Sequence, residues 1–247
     1  MTYVGIIPAR YASSRFPGKP LCNICGKTMI QWVYESAKKW PHWQEVYIAT
    51  DSYLIRDACI DTNIPCIMTG DHHLDCLDRA GEVVDILEAE GRGADRYVVI
   101  QGDEPLFNVE TLNVDLTPQI VNFYTEVQDP NELEGLAAAN AVKVVVSSGN
   151  KALYFSRYTV PYHAENVRRS DDDFVCFKQI GVYSFSANGL RMYCVLKPSY
   201  NECMEGIGLN RLLDNDVDID MRYTPHDSVS VDTDEDRLRI IKIIENR

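Results

Sequence analysis

The sequence lacks several features that would place the protein at a membrane or on a polyanion. It has no apolar run near the roughly 18 residues that a transmembrane helix needs, and no charged segment and cleavage pattern of a secretion signal. We therefore expect a cytoplasmic protein without membrane insertion. Basic residues are also few, since 24 Lys and Arg stand against 37 Asp and Glu, a net charge of −13. Nucleic acid is not an expected partner, because such a balance repels it at long range.

Paired cysteine motifs are equally scarce. The eight cysteines are scattered and no secretion signal accompanies them, so reduced thiols are expected rather than a disulfide framework. Cys22 and Cys25 form a C-x-x-C, but a four-ligand zinc site would need a second close pair, and a redox motif would open a helix after a strand. The simpler expectation is that two small residues pack a β-turn around Gly26.

The 247 residues suffice for one α/β domain, and the order of predicted elements indicates its architecture. Strands and helices alternate over the first half, which implies right-handed β-α-β crossovers and a mostly parallel, Rossmann-like sheet with helices on both faces. A mixed α+β subregion follows. The predicted strands cover 3–8, 45–50, 64–68, 97–101, 120–127, 138–146, 152–156, 179–185, 218–223 and 228–231; the predicted helices cover 28–39, 52–62, 77–90, 188–196, 202–213 and 233–246.

A cationic loop follows the first predicted strand. The segment IIPARYASSRFPGKPL, residues 6–21, ends an apolar run at Pro8 and then sets Arg10, Arg15 and Lys19 among small and turn-forming residues. Small residues let backbone N–H groups approach a ligand and the cations supply charge, which suits a polyphosphate beyond the carboxyl end of a strand. The loop is neither a P-loop nor a dinucleotide fingerprint. A solvated basic loop is the alternative.

Two carboxylates follow predicted strands. Asp103 comes directly after the apolar strand over 97–101, and Asp232 stands between a predicted strand and a predicted helix. Ligands bind outside the carboxyl ends of strands in an open α/β sheet, and Mg²⁺ is often held by one or two carboxylates together with phosphate oxygens. The pair therefore predicts a magnesium site, with helix capping or a turn as the alternative role of each residue.

Six segments together resemble one protein family, the CMP-Kdo synthetases or 3-deoxy-manno-octulosonate cytidylyltransferases. They are ARYASSRFPGKPL at 9–21, ATD at 49–51, QGDEPL at 101–106, NAVKVV at 140–145, ALYFSR at 152–157 and VDT at 231–233. The family transfers CMP from CTP to the anomeric hydroxyl of a 3-deoxy-2-keto sugar acid. The resemblance implies a single nucleotidyltransferase domain over 1–247, with a nucleotide-binding half (1–110) and a half for sugar-acid binding and homodimer contact (111–247).

The resemblance also implies roles for individual residues. The implied catalytic residues are Arg10, Lys19, Asp103 and Asp232, of which Asp103 and Asp232 would hold Mg²⁺. The implied nucleotide contacts are Ala9, Arg10, Ser13, Arg15, Lys19, His73, Arg79 and Gln101. The implied acceptor contacts are Arg157, Gln179, Tyr183 and Asn210, with Arg157 pairing with the sugar carboxylate.

Two stretches depart from the family pattern. HLDCLDR at 73–79 replaces HQSGTER, and EGIGLNR at 205–211 replaces E-x-L-E-Q-L-R, while Gln179 replaces a His. Asp75 would be unfavourable beside a triphosphate unless it binds metal or sugar. We expect the CTP half-site to persist and the acceptor to have changed. A nucleotidyltransferase for 8-amino-Kdo or a nonulosonic acid, and an inactive nucleotide-binding homologue, stay open as alternatives.

Overall fold

The computed structural model describes residues 1–12, 16–127, 140–162 and 176–246, and its described part is built on one large sheet. The predicted loop over 167–173 lies outside these ranges. The strands are β1 (Tyr3–Pro8), β2 (Asn23–Ile24), β3 (Lys27–Thr28), β4 (Trp43–Thr50), β5 (Cys66–Met68), β6 (Arg96–Ile100), β7 (Ile120–Glu126), β8 (Lys143–Val146), β9 (Ala152–Ser156), β10 (Phe177–Phe185) and β11 (Asp220–Tyr223).

Helices connect and cover the strands. They are α1 (Met29–Ala37), α2 (Tyr53–Asp61), α3 (Cys76–Ala89), α4 (Ala187–Val195), α5 (Tyr200–Glu205), α6 (Leu209–Leu213) and α7 (Asp234–Glu245), with 3₁₀ turns at Lys19–Leu21 and Val109–Leu112. None of the described helices is long and apolar enough to cross a membrane.

The sheet runs β11-β7-β10-β6-β1-β4-β5, with β8 and β9 attached beside β10. Strand β1 lies parallel between β4 and β6, and β5 is parallel to β4. Strand β10 is antiparallel to both β6 and β7, whereas β11 is parallel to β7. The predicted α/β fold, with a mostly parallel first half and a mixed second half, is therefore confirmed.

Both faces of the sheet are buried, because successive strand residues point to opposite sides. Ile6 of β1 belongs to the cluster that contains Val83 of α3, whereas Ile7 belongs to the cluster that contains Val33 of α1. Every residue of β6 is buried. Each large apolar side chain buried in this way contributes about 1.5–3 kcal/mol to the stability of the fold. The central strands are therefore stabilised by packing on both faces of the sheet.

The C-x-x-C segment forms the turn expected of it. Strands β2 and β3 pair as a hairpin whose turn residues Cys25 and Gly26 both have positive φ. Cys22 is half-buried against a small apolar cluster with Ile24 and Met29, and all eight cysteines are free thiols.

Three predicted elements differ from the observed ones. The predicted helix over 202–213 is two helices, α5 and α6, because Gly206 ends α5 in the left-handed conformation (φ 63°) that glycine adopts most easily. Residues 228–231 are not a strand, although the N–H of Val231 donates to the carbonyl of Asp103 at 2.9 Å. Strand β8 begins at Lys143, well inside the predicted strand over 138–146.

Candidate active site

A cleft of about 450 Å³ opens beyond the carboxyl ends of β1 and β6. These two parallel strands are neighbours, so the loops that follow them meet at one edge of the sheet. The predicted site residues that line the cleft are Ala9, Arg10, Lys19, His73, Arg79, Gln101, Asp103, Arg157 and Asp232. Ser13 and Arg15 lie outside the described residues.

The two predicted metal ligands meet at one lysine. The Nζ of Lys19 donates to Oδ2 of Asp103 at 2.8 Å and to Oδ1 of Asp232 at 3.0 Å. Burial by itself lowers the pKa of Lys19, but the two carboxylates outweigh it and leave that pKa raised above its ordinary value of 10.5. Lys19 is therefore a cation, set between the loop after β6 and the segment before α7.

The carboxylates retain capacity for a metal ion. Within the described part of the chain, Oδ1 of Asp103 is buried and has no hydrogen-bond partner, a costly state for a carboxylate oxygen. No group of three His, Cys, Asp or Glu side chains that could hold a metal occurs among the described residues. Two carboxylates with an unpaired oxygen fit Mg²⁺, which takes its other ligands from water and phosphate, better than they fit zinc.

Glu104, in the loop after β6, attaches this loop to strand β10. Its Oε1 accepts from the N–H of Gly181 at 3.2 Å, and the N–H of Gln101 donates to the carbonyl of Gly181 at 3.0 Å. Burial, with Asp103 nearby, raises the pKa of Glu104 to about 8. In the same loop, Nε2 of Gln101 donates to the hydroxyl of Tyr183 at 2.8 Å. The orientation of Gln101 is thus set from β10.

His73 and Arg79 are both anchored at the cleft by neighbouring groups. Nε2 of His73 lies 2.5 Å from Oε2 of Glu82, which also accepts from the N–H of Gly70. Arg79 is only 4% exposed and donates to the Thr69 hydroxyl and the Gly70 carbonyl. Both residues line the cleft, His73 held by Glu82 of α3 and Arg79 by Thr69 and Gly70, which precede α3.

Asp75 does not stand as an uncompensated charge in the cleft. Its Oδ1 accepts from the N–H groups of Leu77 and Asp78 at 2.8 and 2.9 Å, so it is the N-cap of α3. Its Oδ2 accepts from the hydroxyl of Tyr193, and Arg211 lies 3.9 Å away. The departure from the family pattern is therefore accommodated, since Ser and Asp are both strong N-caps.

Arg157 is held at the opposite wall of the cleft. Its Nε donates to the carbonyl of Glu205 at 2.7 Å and its Nη2 to the carbonyl of Gly206 at 3.2 Å, at the C-terminus of α5. The Glu205 carboxylate accepts in turn from the N–H of Arg157 and the hydroxyl of Ser156. The contacts fix the guanidinium where α5 ends.

Three predicted acceptor contacts lie away from this cleft. Asn210 is fully buried and bonds the backbone of Phe155 with both ends of its amide, at 3.0 and 3.3 Å, so it braces β9. Tyr183 is 6% exposed and acts through Gln101. Gln179 lines an adjoining cavity of about 380 Å³ that shares Gln101 and Asp232 with the cleft. Leu209, on the helix expected to face the sugar, is buried in the core.

Comparison with known proteins decides the family. A model of the family described as cytidylyltransferase matches residues 4–219. The chain belongs to the cytidylyltransferase family. A 3-deoxy-manno-octulosonate cytidylyltransferase of Koribacter versatilis is 39% identical over 99% of this chain and 90% of the relative, and one of Bdellovibrio bacteriovorus is 36% identical over 100% and 99%. The solved structure of CMP:2-keto-3-deoxy-manno-octonic acid synthetase complexed with CTP superposes with a TM-score of 0.85 at 31% identity, over 100% and 99% of the two chains. The chain is thus a nucleotidyltransferase enzyme.

Two residues that shape the site of this cytidylyltransferase were given no role from sequence. Lys143 is completely buried and its Nζ donates to the carbonyls of Ala141 and Arg157, at 2.6 and 2.8 Å. The sequence offered one signal for Lys143, which is its position inside the apolar run VKVVV. A lysine in a buried strand needs hydrogen-bond partners, because lysine is rarely buried without them. Glu104 gave no such signal, since Glu-Pro after a strand reads equally well as an exposed turn.

Proposed function

We propose that this cytidylyltransferase transfers CMP from CTP to the anomeric hydroxyl of a 3-deoxy-2-keto sugar acid, in a Mg²⁺-dependent reaction that releases pyrophosphate. The observation that carries the proposal is the contact of Lys19 with both Asp103 and Asp232 at the edge of the sheet. The names of the relatives support the acceptor class, and one structure similar to this chain was solved with CTP.

The charges in the cleft suit a triphosphate. In the transfer, an oxygen–phosphorus bond forms at the α-phosphorus as the bond to the pyrophosphate oxygen breaks, so negative charge grows on the leaving group. Arg10 is exposed at the cleft wall and Lys19 lies deeper, and both cations would stabilise that charge. Neither needs a change of protonation, because both are cations near neutral pH.

Asp103 and Asp232 are the residues that would hold Mg²⁺. The bound ion would supply charge neutralisation at the phosphate oxygens and the attacking oxygen. An ion at the two carboxylates would leave the Lys19 ammonium available for phosphate oxygens. Lys19 would then serve two states of the enzyme, neutralising the carboxylates before the metal and nucleotide bind, and the pyrophosphate afterwards.

The cleft wall at Arg157 suits the carboxylate of the acceptor. The guanidinium of Arg157 is a cation that would attract a carboxylate, and its anchoring on the carbonyls of Glu205 and Gly206 limits its movement. Gln101 also lines the cleft, and its amide would contact the cytosine of CTP. Asn210 is not part of the proposed site, and Gln179 would act only from the adjoining cavity.

An assay of pyrophosphate release tests the proposal. CTP, UTP, GTP and ATP are each supplied with Mg²⁺ and with Kdo, 8-amino-Kdo or a nonulosonic acid as acceptor. We expect release with CTP and one 3-deoxy-2-keto sugar acid, and loss of release on chelation of Mg²⁺. Binding of CTP without release for any acceptor would support the inactive homologue instead. A homodimer and a cytoplasmic location remain predictions, which light scattering and cell fractionation test.

A further inference from the structure

The backbone at Gly208, which follows the cleft residue Gly206, lies against two side chains that leave no room for a Cβ. A Cβ built on Gly208 would lie 2.5 Å from Oδ2 of Asp75 and 2.5 Å from the hydroxyl of Tyr193. Distances under 3.0 Å are essentially never seen for a Cβ. The carboxylate of Asp75 therefore occupies the space into which any side chain at position 208 would extend.

The Asp75 carboxylate is fixed in this space by both of its oxygens. Oδ1 is engaged by the N–H groups of Leu77 and Asp78 at the start of α3. Oδ2 accepts from Tyr193, which projects from α4. A carboxylate oxygen accepts about two hydrogen bonds, so Oδ2 retains capacity for a further donor. The side chain is 27% exposed and lines the cleft together with Arg157 and Gly206.

The two positions differ from the family pattern in a complementary way. In the pattern that the sequence resembles, position 75 is Ser and position 208 is Glu, whereas this chain has Asp75 and Gly208. In this chain a carboxylate reaches the cleft from the start of α3, and its Oδ2 fills the space next to Gly208.

We propose that Asp75 determines acceptor specificity, an inference that rests on the proposed function. Its Oδ2 accepts a hydrogen bond from a hydroxyl or ammonium group of the sugar acid. The surroundings favour a donor over a second anionic group. Arg211, which lies 3.9 Å from Asp75, is already engaged by Asp78 and Glu202, at 3.0 and 2.6 Å. An acceptor with an acidic group at this point would meet a surplus of carboxylates.

The test compares Asp75→Asn and Asp75→Ser with the wild-type enzyme, measuring the KM for the acceptor and the KM for CTP separately. Asn and Ser also cap helices, so α3 is retained. We expect Asp75→Asn to raise the acceptor KM about 10-fold or more, with the KM for CTP changed less than about 2-fold.

Kdo and its 8-amino analogue form two arms of this experiment. A larger loss with Kdo identifies a hydroxyl as the donor, and a larger loss with the amino sugar identifies an ammonium group. An equal rise in the KM for the acceptor and in the KM for CTP overturns the proposal, and so does an unchanged KM for both acceptors. Wild-type turnover of CTP is measured in parallel, so failure of the proposed function is seen separately.

A matched control separates specificity from capping. Ser186 is the N-cap of α4, where its Oγ accepts from the N–H of Gly189 at 3.0 Å, and it does not line the cleft. Ser186→Ala should lower the melting temperature and leave both KM values unchanged. If it raised the acceptor KM as Asp75→Asn does, the Asp75 effect would be a loss of helix stability rather than of an acceptor contact.

Discussion

The ammonium group of Lys19 lies 2.8 Å from a carboxyl oxygen of Asp103, although 84 positions separate the two residues in the chain. The same nitrogen contacts Asp232 from the other end of the sequence. One cation thereby balances two carboxylates that would otherwise repel each other at the edge of the sheet. The ion pairs that hold Lys19, Asp103 and Asp232 together involve the same charged groups that would bind the nucleotide and the metal ion.

Replacing Lys19 by Ala should abolish most turnover. The variant loses the cation that would stabilise the leaving pyrophosphate, so we expect kcat/KM to fall about 100-fold or more in the pyrophosphate assay. It also leaves Asp103 and Asp232 without their counterion, so the melting temperature without Mg²⁺ should fall and added Mg²⁺ should restore part of it. Lys27→Ala, which breaks an exposed pair with Glu35, is the control. A Lys19 variant as active as this control contradicts the assignment.

Replacing Asp232 by Asn should weaken metal binding. The substitution keeps the shape of the side chain but removes charge from one of the two proposed ligands, and we expect at least about 10-fold weaker Mn²⁺ binding in the presence of CTP, or 1.4 kcal/mol. Calorimetry or electron spin resonance measures this affinity. Asp234→Asn is the matched control. Asp234 is the first residue of α7, two positions after Asp232, but it pairs with Arg237. Unchanged Mn²⁺ affinity in Asp232→Asn argues against a metal role.

Replacing Glu82 by Gln should change the pH dependence of stability. Burial alone would raise the pKa of Glu82, but the contacts with His73 and the Gly70 N–H outweigh it and hold that pKa below its ordinary value of 4.5. A depressed carboxyl pKa stabilises the fold above about pH 4.5 and ceases to do so as the pH falls through the folded value. The free energy of unfolding of the wild type should therefore exceed that of Glu82→Gln at neutral pH, by under about 1 kcal/mol for this partly exposed group, and the difference should vanish in acid.

Urea unfolding at two pH values, near neutral and near 3.5, measures that difference. Glu82→Gln should also raise the KM for CTP if His73 contacts the nucleotide, because the ring loses its anchor. A stability difference that grows toward acid pH would show that the sign assigned to the Glu82 contribution is wrong.

Replacing Asn210 by Ala should cost stability and leave substrate binding unchanged. The variant removes two hydrogen bonds to the Phe155 backbone in a fully buried place, and the unpaired N–H and carbonyl should lower the free energy of unfolding by about 2 kcal/mol. Asn215→Ala is the control, because Asn215 is exposed and its side-chain amide donates to the carbonyl of Arg211 in its own segment. Denaturant unfolding reports the loss. A raised acceptor KM at unchanged stability would return Asn210 to the acceptor site.

Local patterns were sufficient for most of the helices and strands. Thr28 begins the predicted helix over 28–39 and caps α1 with a full capping box, and Thr233 with Asp236 forms a second box where the predicted helix over 233–246 begins. Such contacts join residues within one turn, so the sequence contains all of their geometry. Predictions were less successful where a helix was interrupted, as at Gly206, because a continuous apolar pattern does not reveal the break.

The cationic loop and Asp103 could be placed together from sequence because each follows a strand, and parallel strands bring their carboxyl ends to one edge. Asp232 follows a segment that is not a strand, which is held beside Asp103 by the hydrogen bond from the N–H of Val231 to the Asp103 carbonyl. The roles of Asp75 and Asn210 depended on distant partners: Tyr193 and Gly208 for one, the Phe155 backbone for the other. The sequence by itself determined which elements form and which charges follow them, since those depend on neighbours along the chain. Only the tertiary structure decided which side chains face the cleft, because burial and hydrogen-bond partners depend on residues that folding brings together from far apart.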